Sequence, residues 1–406
     1  MSTLGDVRFE TVLTMDKGPT ETMILNMGPH HPSTHGVLRV LLELEGETVV
    51  KASPDIGYLH TGVEKTAENL RYQQVVTITD RLDYLSPMNN DLAYVLAVEK
   101  LLGVEAPLRA QYIRVILCEL QRIASHLVWL GTQALDIGAM SVFLYGFRER
   151  EMILDIFEMV AGARMMASYF RPGGLARDLP VGFEEKVREF LAYFPPRCDE
   201  YEAMLTENPI WLDRTRGIGT ISAEDALALS VTGPSLRACG VDWDIRKAMP
   251  YSSYDHFDFV VPLGENGDVY DRYICRVMEM RQSLRIVQQA LDNLPDGDVN
   301  IDDRKIVPPP RHELSTSMES LIHHFKLYTE GFKPPVGEVY AAVESPRGEL
   351  GFYIISDGSN KPYRMHVRTP SFANLQGLPT MVEGRLVADV VAVIASVDVV
   401  LGDVDR

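Results

Sequence analysis

Between residues 37 and 44 every second residue is apolar, and the charged residues Arg39 and Glu43 fall between them. The apolar positions are Leu38, Val40, Leu42 and Leu44. This period of two predicts a β-strand with one buried face. Glu45-Gly46 predicts a turn, and Thr48-Val49-Val50 predicts a second strand that returns beside the first. The hairpin is therefore the first element that the pattern indicates.

Further along the chain the apolar spacing changes to three and four residues, which predicts amphipathic helices. The predicted helices cover residues 63–77, 91–103, 108–130, 142–160, 183–205 (broken at Pro195-Pro196), 270–294 and 318–328. Strand patterns reappear over 338–343 and 350–355. The order of elements predicts an α+β fold, mainly a helical bundle flanked by small β elements.

These changes of pattern divide the chain into four parts. We expect a polar N-terminal tail over 1–21 that orders on a partner, a β subdomain over 22–60, a central helical bundle over 61–335, and a C-terminal α+β segment over 336–406 that docks on the bundle. The final residues alternate acidic and apolar side chains. This alternation indicates a docked C-terminus.

The charge balance narrows the class of partner. The chain has 406 residues with 39 basic and 57 acidic side chains, a net charge of −18. This excess of negative charge argues against nucleic acid and against direct docking on anionic lipid. No run of about eighteen apolar residues and no signal-like leader is present, so we expect a cytoplasm-like compartment.

Four cysteines are scattered along the chain, at Cys118, Cys198, Cys239 and Cys275. None lies two residues from another, so no paired-cysteine metal or cluster motif exists, and we expect buried, reduced thiols. The glycine-bearing loops near Gly217 and Gly233 lack a following Lys-Ser or Lys-Thr pair. Nucleotide binding by a phosphate loop is therefore not indicated.

Three of the ten histidines lie in one short loop, Gly28–Gly36. Its prolines and glycines favour a stiff turn without regular hydrogen bonding. His31 and His35 have the spacing of a helical metal site, but Pro32 between them makes a helix unfavourable. Two functions stay open for these imidazoles: satisfying local backbone groups, or presenting a proton or hydrogen bond to a ligand.

Two further side chains have settings that suggest chemistry. Tyr84 precedes Pro87, which interrupts helical continuation, and side chains at such breaks often face cavities. Asp136 lies between Leu135 and Ile137, where burial would raise its pKa unless a histidine, arginine or amide compensates. The alternative for Asp136 is a helix N-cap.

Two other charged sites have simpler interpretations. The run Arg148–Glu151 is typical of a solvated or partner-facing surface. His126, inside the predicted helix 108–130, is typical of a core histidine with satisfied hydrogen bonds.

Several motifs together resemble a known family, the 49 kDa subunit (also called the D subunit) of respiratory complex I, NADH:quinone oxidoreductase. The motifs are Gly28–Gly36, Gly57–Lys65, Asp83-Tyr84, Phe147–Glu151, Arg171–Gly174, Ser345–Glu349 and Gly402–Arg406. The resemblance covers nearly everything after Thr22. It implies a fold like the large subunit of nickel-iron hydrogenases, in which two pairs of cysteines hold the metal centre.

This chain has no cysteine at the corresponding segments, Asp80–Tyr84 and Asp398–Gly402. Without thiolate ligands a nickel-iron centre is not expected. The resemblance implies instead that the emptied cavity, together with the neighbouring B subunit of the complex, forms the site for the headgroup of ubiquinone or menaquinone. His35 and Tyr84 match the residues that would hydrogen-bond the quinone, and Asp136 matches the acid that would pair with His35.

The resemblance also implies where the electrons come from. A terminal four-iron, four-sulfur cluster would be held by the B subunit, and Arg164 and Met166 of this chain would lie near it. Relatives often carry a histidine at the position of Met166, which has no proton to exchange. No cofactor would be held by this chain, and it would be inactive alone.

The implied assembly contains subunits B, C, H and I, and the chain would be peripheral, on the cytoplasmic face of the bacterial membrane. There the complex would couple quinone reduction to proton translocation. Two alternatives are a structural scaffold and a membrane-bound hydrogenase-type large subunit. The resemblance and the residue patterns both favour the quinone site.

Overall fold

A computed structural model describes residues 9–12, 20–34 and 36–406. Its strands are β1 (Phe9–Val12), β2 (Thr20–Met27), β3 (Arg39–Glu45), β4 (Thr48–Asp55), β5 (Phe170–Arg171), β6 (Gly174–Leu175), β7 (Gly337–Ser345), β8 (Gly348–Ser356) and β9 (Arg364–Arg368). They form three antiparallel sheets, in the orders β1-β2-β3-β4, β5-β6 and β7-β8-β9.

Helices account for most of the remaining order. They are α1 (Val63–Ala67), α2 (Tyr72–Thr79), α3 (Pro87–Leu102), α4 (Leu108–Asp136), α5 (Met140–Ala161), α6 (Phe183–Leu205), α7 (Pro209–Thr215), α8 (Ala223–Ala228), α9 (Pro234–Arg237), α10 (Ile245–Ala248), α11 (Val269–Asp292), α12 (Met318–Thr329), α13 (Pro370–Leu375), α14 (Leu378–Val382), α15 (Val387–Val397) and α16 (Leu401–Asp405). Short 3₁₀ turns cover Pro32–Thr34, Tyr254–His256 and Arg311–Ser315. The predicted α+β class is confirmed.

The N-terminal sheet follows the predicted alternation. Leu38, Val40, Leu42 and Leu44 are all buried. They pack with apolar residues of α14 and α15 in a core separate from that of the main bundle. Strand β1 lies inside the segment predicted as a tail and pairs with β2. The division of the chain into four parts remains a prediction.

Helix α4 is the centre of the bundle. It packs against α5, α11, α3 and α15, and almost all of its residues are buried. A helix enclosed on all sides must also satisfy its polar side chains internally. His126 does so at one ring nitrogen: its Nε2 lies 2.9 Å from Glu279 Oε2, while its buried Nδ1 has no partner among the described groups. The interpretation of His126 as a core residue is confirmed, but only one of its two ring nitrogens is hydrogen-bonded.

Several helix predictions need correction. The helix expected over 63–77 is two helices, α1 and α2, separated by 68–71. Conversely, α6 runs unbroken through Pro195 and Pro196. Each internal proline removes one backbone hydrogen bond, but Phe194 and Cys198 are buried on the two sides of the pair. Burial of both halves against the bundle keeps them on one axis.

The run Arg148–Glu151 is not a solvated surface throughout. Glu149 is fully buried against α6, where it accepts hydrogen bonds from the hydroxyls of Tyr201 at 2.5 Å and Tyr193 at 3.3 Å. Arg150 is also buried. Packing of α5 on α6 encloses this part of the run, which its charge pattern could not indicate.

The C-terminus is docked, as predicted. The carboxylate of Asp405 accepts hydrogen bonds from the backbone amides of Gly57 at 2.8 Å and Leu59 at 2.6 Å, and His60 Nδ1 lies 2.6 Å from its carbonyl oxygen. These contacts join the end of the chain to the Ile56–Gly62 turn.

Arg347 joins segments that are far apart in sequence. Its Nη1 donates to Asp83 Oδ2 at 2.6 Å and to Ser125 Oγ at 2.9 Å, and its Nη2 donates to Asp398 Oδ1 at 3.1 Å. All four side chains are buried. Removing one partner of a buried ion pair leaves an uncompensated charge, which costs more than the pair itself contributes.

We therefore expect Arg347→Ala to lower the free energy of unfolding by about 3–5 kcal/mol. The measurement is denaturant unfolding of the full chain. Arg188→Ala is the matched control, because Arg188 pairs with Asp292 at an exposed site, and its loss should cost less than about 1 kcal/mol. Equal effects of the two substitutions would contradict the proposed importance of Arg347.

Candidate functional site

Two turns that are distant in sequence meet beside α4. One turn, Asp80–Tyr84, follows α2, and the other, Asp398–Gly402, links α15 to α16. A Cβ at Gly402 would lie 2.5 Å from the Leu82 carbonyl oxygen, so only glycine permits this approach. These are the segments that the resemblance placed at the two cysteine pairs of hydrogenases, and the fold brings them together.

Arg347 occupies the centre of this junction between Asp83 and Asp398. Burial raises the pKa of both carboxyls, that of Asp398 to about 6, although the guanidinium opposes the shift. Burial and the charge of Asp83 also raise the pKa of Asp403, in α16, to about 6. In the described part of the chain, no three histidine, cysteine or acidic side chains are arranged to hold a metal ion.

A cavity of about 410 Å³ opens beside the junction. Its lining residues are Leu59, Thr61, Val63, Thr66, Ile78, Arg81, Tyr84 and Gly402. Most of the lining area is apolar, and the polar groups are the Tyr84 phenol, the Arg81 guanidinium and the hydroxyls of Thr61 and Thr66. A flat, largely apolar ligand with a hydrogen-bond acceptor matches this chemistry.

Tyr84 is the sequence-predicted residue that the structure places in the cavity wall. Burial raises the pKa of its phenol, and the negative charge of Asp83 raises it further. The hydroxyl therefore stays protonated at neutral pH and can donate a hydrogen bond. Pro87 is the first residue of α3, so the turn before the helix positions Tyr84, as the break at Pro87 predicted.

Asp136 is the last residue of α4, so its interpretation as an N-cap is wrong; Ala139 takes that position for α5. Burial raises the pKa of the carboxyl to about 6. A carboxylate at a helix C-terminus is also unfavourable beside the partial negative charge of the last carbonyls. Asp136 does not line the cavity.

His35 lies outside the described residues. Its neighbours form a tight turn in which Thr34 Oγ1 donates to the His31 carbonyl at 2.8 Å and the Ser33 amide donates to His31 Nδ1 at 3.2 Å. A Cβ at Gly28 would lie 2.1 Å from the Leu38 carbonyl oxygen. His31 thus satisfies a local backbone group, one of the two functions open for these histidines, and the pairing of His35 with Asp136 stays a prediction.

Arg164 and Met166 lie in the connection between α5 and β5, away from the cavity lining. Arg164 holds Glu151 with two hydrogen bonds of 2.5 and 2.8 Å at a partly exposed site. Met166 has a φ of 52°, a backbone angle that residues other than glycine rarely adopt. The structure therefore leaves these two residues on a separate surface of this chain.

Arg81, Arg347 and Gly402 are site residues that reasoning from patterns did not single out. Arg347 lies in the motif Ser345–Glu349, but nothing in the local pattern distinguishes a buried arginine from a turn residue. Gly402 gives no local signal, since its requirement comes from a carbonyl of another segment. A motif match could locate them, and only their tertiary neighbours show what they do.

The fold and junction define an α+β protein with a largely apolar cavity beside two buried turns. The family model for the respiratory-chain NADH dehydrogenase 49 kDa subunit matches residues 136–406. The chain belongs to this family and is a subunit of complex I.

Relatives agree along nearly the whole length. The NADH-quinone oxidoreductase D 1 subunit of Roseiflexus castenholzii is 66% identical over 393 residues, covering 96% of this chain and 94% of that protein. The D 2 subunit of Chloroflexus aurantiacus is 64% identical over 392 residues, covering 96% and 95%. The D subunit of Geotalea uraniireducens is 59% identical over 387 residues, covering 95% and 99%.

None of the helices in the described residues combines the length and the apolar character needed to cross a membrane.

The pKa of Asp136 leads to a pH-dependent stability. Because the folded pKa, about 6, exceeds the ordinary value of 3.8, the stability present below pH 4 is lost as the pH rises through 6. Asp136→Asn should remove this loss, so the variant gains melting temperature relative to the unsubstituted chain between about pH 4 and pH 7. The control is Asp302→Asn, at an exposed site, for which we expect the difference in melting temperature from the unsubstituted chain to be the same at all pH values. The same constant difference for Asp136→Asn would contradict burial of this carboxyl.

Proposed function

We propose that the cavity beside Tyr84 binds the headgroup of a quinone, and that this chain and the B subunit together form the site where the complex reduces it. The observation that supports this most directly is the Tyr84 phenol in the wall of a largely apolar cavity. A quinone ring needs apolar walls and at least one donor to a carbonyl oxygen. The resemblance assigned the same tyrosine to that role.

Reduction of a quinone takes two electrons and two protons, and negative charge develops on its oxygens. The Tyr84 hydroxyl can donate a hydrogen bond to one oxygen and stabilise that charge, and it can deliver its proton as the charge grows. Arg81 places a positive charge in the same wall. Both side chains act by electrostatic stabilisation of that charge.

A second proton donor is proposed on the loop that carries His35. Asp136 would orient its imidazole and stabilise the protonated form, and a carboxyl with a pKa of about 6 can change its charge in the neutral range. Re-protonation of these groups would link quinone reduction to proton translocation by the complex.

The electrons would come from a four-iron, four-sulfur cluster whose ligands belong to the B subunit. This chain supplies no cysteine pair for such a cluster and would be inactive alone. Subunits B, C, H and I are the proposed neighbours in the complex. Association with the cytoplasmic face of the membrane would depend on those subunits.

Tyr84→Phe tests the role of the phenol, because it removes one hydroxyl and little volume. We expect quinone reduction by the assembled complex to fall about ten-fold or more, while NADH:ferricyanide activity and the amount of complex on a native gel stay unchanged. Tyr363→Phe is the matched control, since Tyr363 is exposed and remote from the cavity lining. Normal quinone reduction by the Tyr84 variant would favour a scaffold function instead.

Met166 gives a second test of the proposed site. A thioether cannot exchange a proton, so the midpoint potential of the terminal cluster should not change with pH through this position. Met166→His introduces a group that titrates near pH 6.5 and should add a pH dependence across that range. A redox titration followed by electron paramagnetic resonance measures both. A steep dependence in the unsubstituted complex would contradict the expectation.

A further inference from the structure

Two acidic side chains outside the cavity lining are buried together. Asp80 directly follows the last residue of α2, and Asp91 lies in the second turn of α3. Their exposed fractions are 1% and 0%. Two ionised carboxylates in contact inside a protein repel each other and lose their hydration. The arrangement therefore needs either two positive partners or a proton between the acids.

One oxygen of each carboxyl already has a hydrogen-bond partner, so the remaining oxygen of each is the one assigned to the contact between the two acids. Ser168 Oγ donates to Asp80 Oδ2 at 2.5 Å, and Thr79 Oγ1 lies 2.9 Å from Asp91 Oδ1. The other two oxygens, Asp80 Oδ1 and Asp91 Oδ2, are buried and have no partner other than each other's carboxyl among the described groups. A hydrogen bond between two carboxyls requires a proton on one of them.

The surrounding charges favour one proton. Arg171 is a half-buried cation whose charge acts on both acids, and the exposed Arg81 acts on Asp80. From α4 the pair faces the thiol of Cys118, which is neutral because burial raises its pKa far above the ordinary value. A pair with one proton has a charge of −1, which Arg171 balances.

The direction of the pKa shifts agrees with this assignment. Burial raises the pKa of Asp91 well above its ordinary value, and the charge of Asp80 and its hydrogen bond raise it further. For Asp80, burial also raises the pKa, but hydrogen bonds from Ser168 and Asp91 lower it. Because the Ser168 hydroxyl donates to Asp80, we assign Asp80 as the acceptor and Asp91 as the acid that holds the proton.

We propose that Asp80 and Asp91 share one proton between Asp80 Oδ1 and Asp91 Oδ2, and that this pair positions the segment 162–168 through the hydroxyl of Ser168. The backbone of this segment has conformations that need support. Ser168 has a φ of 42° and Met166 a φ of 52°, and neither conformation is favourable for these residues without support. The guanidinium of Arg171 donates a hydrogen bond to the Ser168 carbonyl and so supports the same segment.

The consequence for function depends on the proposed quinone site. Segment 162–168 carries Arg164 and Met166, which would face the cluster of the B subunit, and Asp80 is adjacent to Arg81 in the cavity wall. One buried pair thus holds both the wall of the cavity and the surface proposed to face the cluster. Asp80 and Asp91 are positioning residues, because they do not touch the substrate.

Three variants separate a shared proton from a charge. Asp91→Asn keeps an acceptor for Thr79 and supplies an N–H donor to Asp80, so it imitates the protonated acid. Asp91→Leu has a similar shape but no donor, and it leaves Asp80 Oδ1 buried without a partner. Ser168→Ala removes the contact between the pair and the segment.

In the assembled complex we expect the rate of quinone reduction with Asp91→Asn to stay within about two-fold of normal. With Asp91→Leu or Ser168→Ala we expect this rate to fall about ten-fold and the paramagnetic resonance spectrum of the terminal cluster to shift. Equal losses in Asp91→Asn and Asp91→Leu would overturn the shared proton. Unchanged cluster spectra in Asp91→Leu and Ser168→Ala would overturn the positioning role.

A second readout does not depend on quinone. At about pH 8, carboxyls with a pKa of about 6 are mostly ionised. At that pH the infrared spectrum of the unsubstituted protein should still contain a carboxylic acid band that shifts in D₂O. The same band should be missing from the spectrum of Asp91→Asn. Persistence of that band in Asp91→Asn would overturn the proposal. Failure of Tyr84→Phe to impair quinone reduction would contradict the proposed quinone site and leave this result intact.

Discussion

The buried guanidinium of Arg347 is the interaction on which the candidate site depends. It lies between the turn after α2 and the turn before α16, and it also donates to Ser125 on the central helix. A buried cation requires buried anions at fixed positions, and Asp83 and Asp398 meet that requirement. Because both acids belong to turns that form the cavity wall, the ion pairs hold the wall in place.

A second network of buried charge supports the same centre from the other side of α4. Glu119 accepts hydrogen bonds from Arg246, Tyr254 and Ser283, and Arg237 pairs with Glu279 and Glu344. The charge-assisted bonds around Glu119 hold its pKa at about 2 despite complete burial. Such networks contribute more to a single arrangement of helices than to net stability.

Family membership and residue geometry support different parts of the conclusion. The family shows that the chain is a complex I subunit, and the structure shows a largely apolar cavity with Tyr84 in its wall. The interface with the B subunit, the path of the electrons and the coupling to protons are proposals. The interface and the electron path rest on the resemblance to the family, and the coupling to protons rests on the chemistry of a phenol, a guanidinium and weakly acidic carboxyls.

The sequence by itself determined the elements whose pattern is local. Alternating leucines specified β3, three- and four-residue spacing specified α4 and α11, and Pro87 marked the turn at Tyr84. Local patterns failed where distant contacts decide. Burial on both sides carried α6 through two prolines, packing on α6 enclosed Glu149, and Gly402 is required by a carbonyl of another turn. The site needs the tertiary structure because Asp83, Arg347 and Asp398 become neighbours only through folding, and burial and paired charge are properties of neighbours.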